Sequence, residues 1–430
     1  MGCYEYHNPD ATPPLLTTVH LVSDNASPQW AKTGDVVTLS FTANEPIQAP
    51  TVTLAGHAVT ATQSRASEDW TASYTFAVTD TEGPAEFRIA FADLAGNPGT
   101  PVTATSDGSG VTFDRTAPVI SVTPEELSLV YGDPDPERMA GVSAADEIAG
   151  NLTSAISVSG TVNMSQAGTY VVQYNVEDSA GNPAIQRQRT YTVGKAPLTV
   201  TASDRTKSYG DTIAFAGTEF TTAGLVNGDT VTSVTLASAG AAATATVDGS
   251  PYAIEASAAQ GTGLDNYAIT YASGSLEVTV KLLTVTAEDK LRLYGEANPA
   301  FTVTYDGFVN GDDAGDLATQ PTATCAADLL SGVGTYDIVA AGGVDENYAF
   351  SYVDGTLTVD PAPLVCTADD KSKVYGSANP ALTITYTGLK NGETAPATPP
   401  VAACAADETS PVGPYDITLT GGGDPNYALT

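Results

Sequence analysis

The 430 residues carry 16 Lys and Arg against 50 Asp and Glu, a formal net charge of −34, with 42% hydrophobic and 15% charged residues. So few cations argue against nucleic acid or anionic membrane as a partner, since both are held by clustered Lys and Arg. No stretch approaches the roughly 20 apolar residues of a membrane-spanning helix, and a chain of this length predicts several domains, each with its own core.

Thr, Val, Ala, Gly, Ser and Tyr dominate, a usage that favours half-buried pleated strands and leaves little helix. The start, from Met1 to Pro9, has no basic residues followed by an apolar stretch and does not read as a secretory signal. Alternating runs follow at Val36–Thr42, Thr71–Val78 and Phe87–Phe91. Short alternating strands between turn signals predict a β-sandwich over residues 15–116.

A second sandwich is predicted over residues 117–194, with a strand at Thr169–Val176. Asp93-Leu-Ala-Gly-Asn97 and Asp178-Ser-Ala-Gly-Asn182 each follow the penultimate strand of their sandwich, and Asp114-Arg-Thr-Ala-Pro118 links the two.

From residue 195 the chain repeats, at a period of one small domain. Each unit opens on an alternating strand (Leu198, Val200; Leu283, Val285; Leu364, Cys366) and then reaches Tyr-Gly at 209, 294 and 375. Each continues to Asn227-Gly-Asp229, Asn310-Gly-Asp312 or Asn391-Gly-Glu393, where Asn-Gly supplies the positive φ of a tight turn. The units close on Asn266-Tyr267, Asn347-Tyr348 and Asn426-Tyr427. Gly-Ser-Leu276 and Gly-Thr-Leu357 then open a last strand in the first two units. The third has no such strand, which predicts an unpaired sheet edge. The boundaries are 195–280, 281–360 and 361–430.

These recurring motifs resemble tandem MBG domains of the Tyr-Gly type, found in large bacterial surface proteins. The resemblance implies a small β-grasp-like module crossed by a short helix, for which Asp312-Asp-Ala-Gly-Asp-Leu317 is the candidate. Residues 119–194 carry Gly150-Asn-Leu-Thr153, Gly168-Thr-Tyr170 and Asp178-Ser-Ala-Gly-Asn182, and resemble the bacterial Ig-like surface module also found in insecticidal crystal toxins. Residues 15–116 resemble a further bacterial Ig-like domain, and Met1–Tyr6 is similar to the end of a secreted right-handed β-helix, which implies that residues 1–14 are the tail of a preceding domain. The fold class expected is thus mostly β, Ig-like sandwiches followed by small β modules in series.

Calcium takes six to eight oxygen ligands, and acidic loops meeting at a domain junction can supply them. The loop before the last strand of a sandwich lies near the end where the chain enters, which brings Asp178 and Asn182 towards Asp114; Asp133 and Asp135 are further candidates. The competing reading is that Asp and Asn cap their own turns with no ion. Cys366 and Cys404 fall in one module and are either bridged or packed as separate small apolar thiols.

Trp30 and Trp70 form either a sugar-stacking platform or part of a core. The repeated tyrosines read as structural corner hydroxyls. His7, His20 and His57 are too scattered for a nucleophile, a base and an orienting group to converge. Together these features predict a non-catalytic, monomeric extracellular stalk or spacer of a bacterial surface or secreted protein. The alternative is a glycan- or protein-binding accessory region of a secreted polysaccharide-active enzyme.

Overall fold

A computed structural model describes residues 11–64 and 68–430. The tail resembling a β-helix end, with Cys3 and His7, lies outside the described residues. The chain forms two compact units. The first runs to Pro197 and takes in Gly224–Asp229 and Gly263–Ala268; the second comprises Leu198–Ala223, Thr230–Thr262 and Ile269–Thr430.

In the first unit, Val36–Ala43 alternates half-buried and buried residues along its whole length, as expected of a strand with one face on a core. It pairs antiparallel with Leu16–Ser23 on one side and Asp69–Thr75 on the other. Thr51–Leu54 lies between His57–Thr60 and Phe87–Ala90 in a facing sheet. Leu39, Leu54, Ile89 and Phe113 are fully buried between these sheets together with Trp70, which is 6% exposed and so belongs to the core. Trp30 opens the short strand Trp30–Ala31, half-buried.

The second sandwich sets Val119–Val122 against Val142–Asp146 in one sheet. Its other sheet orders Glu126–Val130, Arg187–Gly194, Gly168–Asn175 and Ser157–Ser159. Tyr174, Tyr191 and Val172 fill the space between them. Arg189 is buried with them and stays satisfied, its Nε donating to the Pro124 carbonyl at 2.8 Å and its Nη2 to the Thr123 carbonyl at 3.2 Å.

Each Tyr-Gly module is two small sheets. In residues 281–360, Lys281–Ala287 lies between Val303–Asp306 and Tyr348–Val353. The second sheet orders Lys290–Leu293, Gly355–Asp360, Gly334–Ala341 and Thr322–Cys325. Leu283, Val285 and Ala287 are buried while Thr284 and Thr286 between them are half-exposed, the period of two that the sequence carries. Arg205–Ser208, Gly274–Thr279, Tyr252–Gly261 and Val231–Ala237 repeat the four-stranded order one module earlier. In the third module the corresponding sheet has two strands, Val401–Cys404 and Ile417–Thr420.

The crossing helix is not formed. The described residues contain no α-helix, only three-residue 3₁₀ turns at Thr153–Ala155, Ala239–Ala241 and Leu264–Asn266. At 312–317 the chain makes a turn in which Asp313 Oδ1 accepts the Gly315 N–H and the Asp316 carboxylate accepts the Asp313 N–H. Aspartates that bind neighbouring amides compete with helix in this way. The Asn-Gly turns are as expected: Asn227, Asn310 and Asn391 have φ of 56°, 60° and 53°.

Candidate cation site and module joints

The tyrosines of the Tyr-Gly motifs do more than complete corners. Tyr131, in the second sandwich, donates its hydroxyl to Asp229 Oδ2 at 2.8 Å, and Tyr267 donates to the same oxygen at 2.9 Å. One module on, Tyr209 and Tyr348 both donate to Asp312 Oδ2, at 3.0 and 2.7 Å. At the next joint Tyr294 donates to Glu393 Oε1 at 2.6 Å and Tyr427 donates to Oε2 of the same carboxylate. The paired rings meet edge to face each time, with centroids 5.4, 5.5 and 5.5 Å apart, the arrangement aromatic quadrupoles favour.

Glycine and asparagine complete each joint. A Cβ on Gly132, Gly210 or Gly295 would stand 2.6, 2.4 or 2.4 Å from Val226, Val309 or Lys390 of the following module, at φ of +92°, +88° and +71°. Asn266, Asn347 and Asn426 accept the backbone N–H of Ala167, Val247 and Val333 of the preceding one, at 2.9, 3.0 and 3.0 Å. Burial raises the phenols of Tyr209, Tyr267 and Tyr348 above their ordinary value and pushes Tyr427 up to about 12; for Tyr294 the bond to Glu393 is the main cause. All five therefore stay protonated donors at neutral pH. Tyr375 is 65% exposed, and nothing lies within 4 Å of a Cβ on Gly376. Sequence reasoning read the tyrosines as internal corners and missed the joint. The signal was present: Tyr131-Gly132 repeats the motif one module before the Tyr-Gly modules begin.

Between the two sandwiches lies the other concentration of charge. The linker is pinned by Asp114 N–H to the Ala31 carbonyl at 2.8 Å, by Arg115 N–H to Glu82 Oε1 at 2.9 Å and by the Thr116 hydroxyl to the same oxygen at 2.6 Å. Lys32 Nζ and Asn25 Nδ2 reach the carbonyls of Gly181 and Ala180 in the loop of the second sandwich, at 2.8 and 2.9 Å. Here Asp114, Asp146 and Asp178 bring one carboxylate oxygen each to within 4.8 Å of one another, the one such group among the described residues.

Asp114 is 0% exposed and Asp178 6%. Asp114 Oδ1 accepts the Thr116 N–H, and Asp146 Oδ1 accepts those of Ile148 and Ala149. The Oδ2 atoms of Asp114 and Asp146 are buried with no hydrogen-bond partner. Burial, with Asp178 and Asp146 beside it, pushes the Asp114 carboxyl up to about 6.

Two of the five residues expected at this junction, Asp114 and Asp178, are brought together. Asn182 is adjacent but serves as a strut, donating from Nδ2 to the Asp114 carbonyl at 2.9 Å and to Asp178 Oδ2 at 2.8 Å. Asp133 and Asp135 are not there. Both are exposed, and Asp133 caps its own turn by accepting the Val130 N–H at 2.8 Å. Asp146 was not anticipated: it ends the strand Val142–Asp146, and only the sandwich topology carries it to the linker. The turn-capping reading also holds in part, because Asp93 and Asn97 repeat the Asp178–Asn182 bonds in the first sandwich.

Cys366 and Cys404 are free thiols, as is Cys325, all half-buried, so the bridge is not formed. Cys366 and Cys325 pack against the hydrophobic core as small apolar groups. His20 and His57 each sit about half-exposed against an aspartate, Asp107 at 2.6 Å and Asp80 at 3.1 Å. No helix among the described residues is long and apolar enough to cross a membrane.

These sheets and joints define a tandem array of small β modules. The MBG domain (YGX type) matches three times, over residues 198–277, 283–358 and 364–430, more than half of the chain, and the chain belongs to that family. The bacterial surface protein Ig-like domain matches residues 124–193. No curated protein matches the chain. Among solved structures it is similar to the fibronectin(III)-like modules of Clostridium thermocellum CbhA, at 12% identity over 40% of this chain and 93% of that one, TM-score 0.21. It is also similar to the Bacillus anthracis TIE protein, at 8% identity over 80% and 75%, TM-score 0.18. For Drosophila N-cadherin EC1-4 the figures are 8%, 74% and 94%, with a TM-score of 0.20.

Proposed function

We propose that this chain is a non-catalytic extracellular spacer of a bacterial surface or secreted protein, adhesin-like in use. The observation that carries the reading is the threefold Tyr–acid–Tyr joint. A chain whose strongest repeated feature couples each module to the next is built to set the spacing of modules. The Ig-like domain matched at residues 124–193 is a bacterial surface protein domain, and the net charge of −34 favours solubility and discourages self-association.

The test is surface display of the full chain between a membrane anchor and an epitope, with distance from the cell surface read by fluorescence. Removing one whole module should bring the epitope closer without changing its folding. Saturable micromolar binding of the isolated chain to a polysaccharide or host protein, with epitope height unaffected by module removal, would replace the spacer by a binding role.

A further inference from the structure

We propose that Asp114, Asp146 and Asp178 hold one calcium ion at the junction of the two sandwiches. The argument is independent of the spacer reading. Three carboxylates within 4.8 Å repel one another, and nothing cationic is among the groups that bond them. Lys32 is spent on the Gly181 carbonyl, and Arg115 Nε lies 3.6 Å from Glu82.

The cluster differs from a solvated acidic patch in one respect. Asp114 is 0% exposed, and its Oδ2 has neither water access nor a donor. Burying a carboxylate oxygen that way is costly unless a charge satisfies it. Asp146 presents a second such oxygen. On both residues the other oxygen is held by backbone N–H groups, of Thr116 and of Ile148 and Ala149. The free oxygens are therefore oriented before any ion arrives.

The donor set is all oxygen, with no thiolate or imidazole, which selects a hard cation over zinc or copper. Calcium fits better than magnesium because it accepts irregular sets of six to eight oxygens, with water completing the shell, whereas magnesium demands a near-ideal octahedron. Asp114 comes from the linker and Asp146 and Asp178 from the second sandwich, so the ion ties the linker to that sandwich. Asn182, bonded to both the Asp114 carbonyl and Asp178, is a positioning residue.

The experiment is calorimetric titration and thermal unfolding of the chelator-treated full chain with calcium chloride, and separately with magnesium chloride. One calcium should bind with a dissociation constant of about 1 mM or tighter, the range of extracellular calcium modules, and raise the melting temperature of the first unit. Asp114→Asn should weaken binding at least tenfold while melting no lower than wild type in chelator, since the neutral amide removes the buried charge. Asp135→Asn, an exposed acid elsewhere, should behave as wild type and controls for diffuse binding to the other carboxylates. No saturable calcium binding, equal binding by Asp114→Asn, or tighter binding of magnesium than of calcium would each overturn the proposal.

Discussion

Tyr209 and Tyr348, 139 residues apart in sequence numbering and in successive modules, give their hydroxyl protons to one and the same atom, Asp312 Oδ2, at 3.0 and 2.7 Å. Both rings are buried. A single carboxylate oxygen thus satisfies the Tyr348 phenol of its own module and the Tyr209 phenol of the preceding one, and the stability of the joint depends on its presence.

Asp312→Ala should therefore cost about 1–3 kcal/mol for each hydroxyl left without an acceptor. Tyr209→Phe, which removes one donor and leaves the acid its other bond, should cost about 1 kcal/mol. Tyr375→Phe should cost almost nothing, since that ring is exposed. Chemical denaturation of the full chain measures all three, and a double-mutant cycle between Tyr209 and Asp312 should return a coupling of about 0.5–3 kcal/mol.

Gly210 and Gly376 are a matched pair, with φ of +88° and +82°. Alanine is strained at either position. At Gly210 the added methyl also stands 2.4 Å from Val309, whereas at Gly376 it meets nothing. Gly210→Ala should destabilise by at least about 1 kcal/mol more than Gly376→Ala. Equal melting temperatures for the two variants would show that the glycine serves backbone geometry alone.

Asp114 sets a pH dependence whose sign follows from the carboxyl being raised from 3.8 to about 6 by burial and by Asp178, Asp146 and Glu82. Between those values the folded chain keeps a proton that the unfolded chain has released. Its contribution to stability is greatest below about pH 4, falls as pH rises through about 4 to 6, and stays low above. In chelator, the stability of wild type relative to Asp114→Asn should decline over that window; melting curves of both at pH 4, 5, 6 and 7 provide the check. A difference independent of pH would mean that Asp114 is not buried as described.

Alkylation of the denatured, unreduced chain followed by peptide mapping should label Cys325, Cys366 and Cys404. A linked pair of peptides containing Cys366 and Cys404 would contradict the free thiols described here.

The strands were legible because their period of two is written in Thr-Val and Thr-Leu alternation, as at Leu283, Val285 and Ala287, and the turns because Asn-Gly demands positive φ at residues such as Asn310. The helix was misplaced at Asp312–Leu317 because a resemblance supplied it while the residues themselves, three aspartates and a glycine in six positions, favour a turn. Asp114 and Asp178 could be paired from sandwich connectivity. Asp146 could not, since its place beside them depends on which residue ends a strand. Asp133 and Asp135 are close to the junction only in sequence. The joint tyrosines were visible as a pattern, yet a repeated residue does not show whether its partner lies in its own repeat or the next.

Every joint has the same polarity, with Tyr-Gly on the side nearer the N-terminus and Asn-Gly-acid together with Asn-Tyr on the other. Excising the stretch between two equivalent Tyr-Gly dipeptides would still leave matching halves facing each other, Tyr209 meeting Glu393 instead of Asp312. Unequal crossing-over within the gene can thus lengthen or shorten the chain by whole repeats without any compensating substitution, and copy number becomes a heritable variable that selection can adjust.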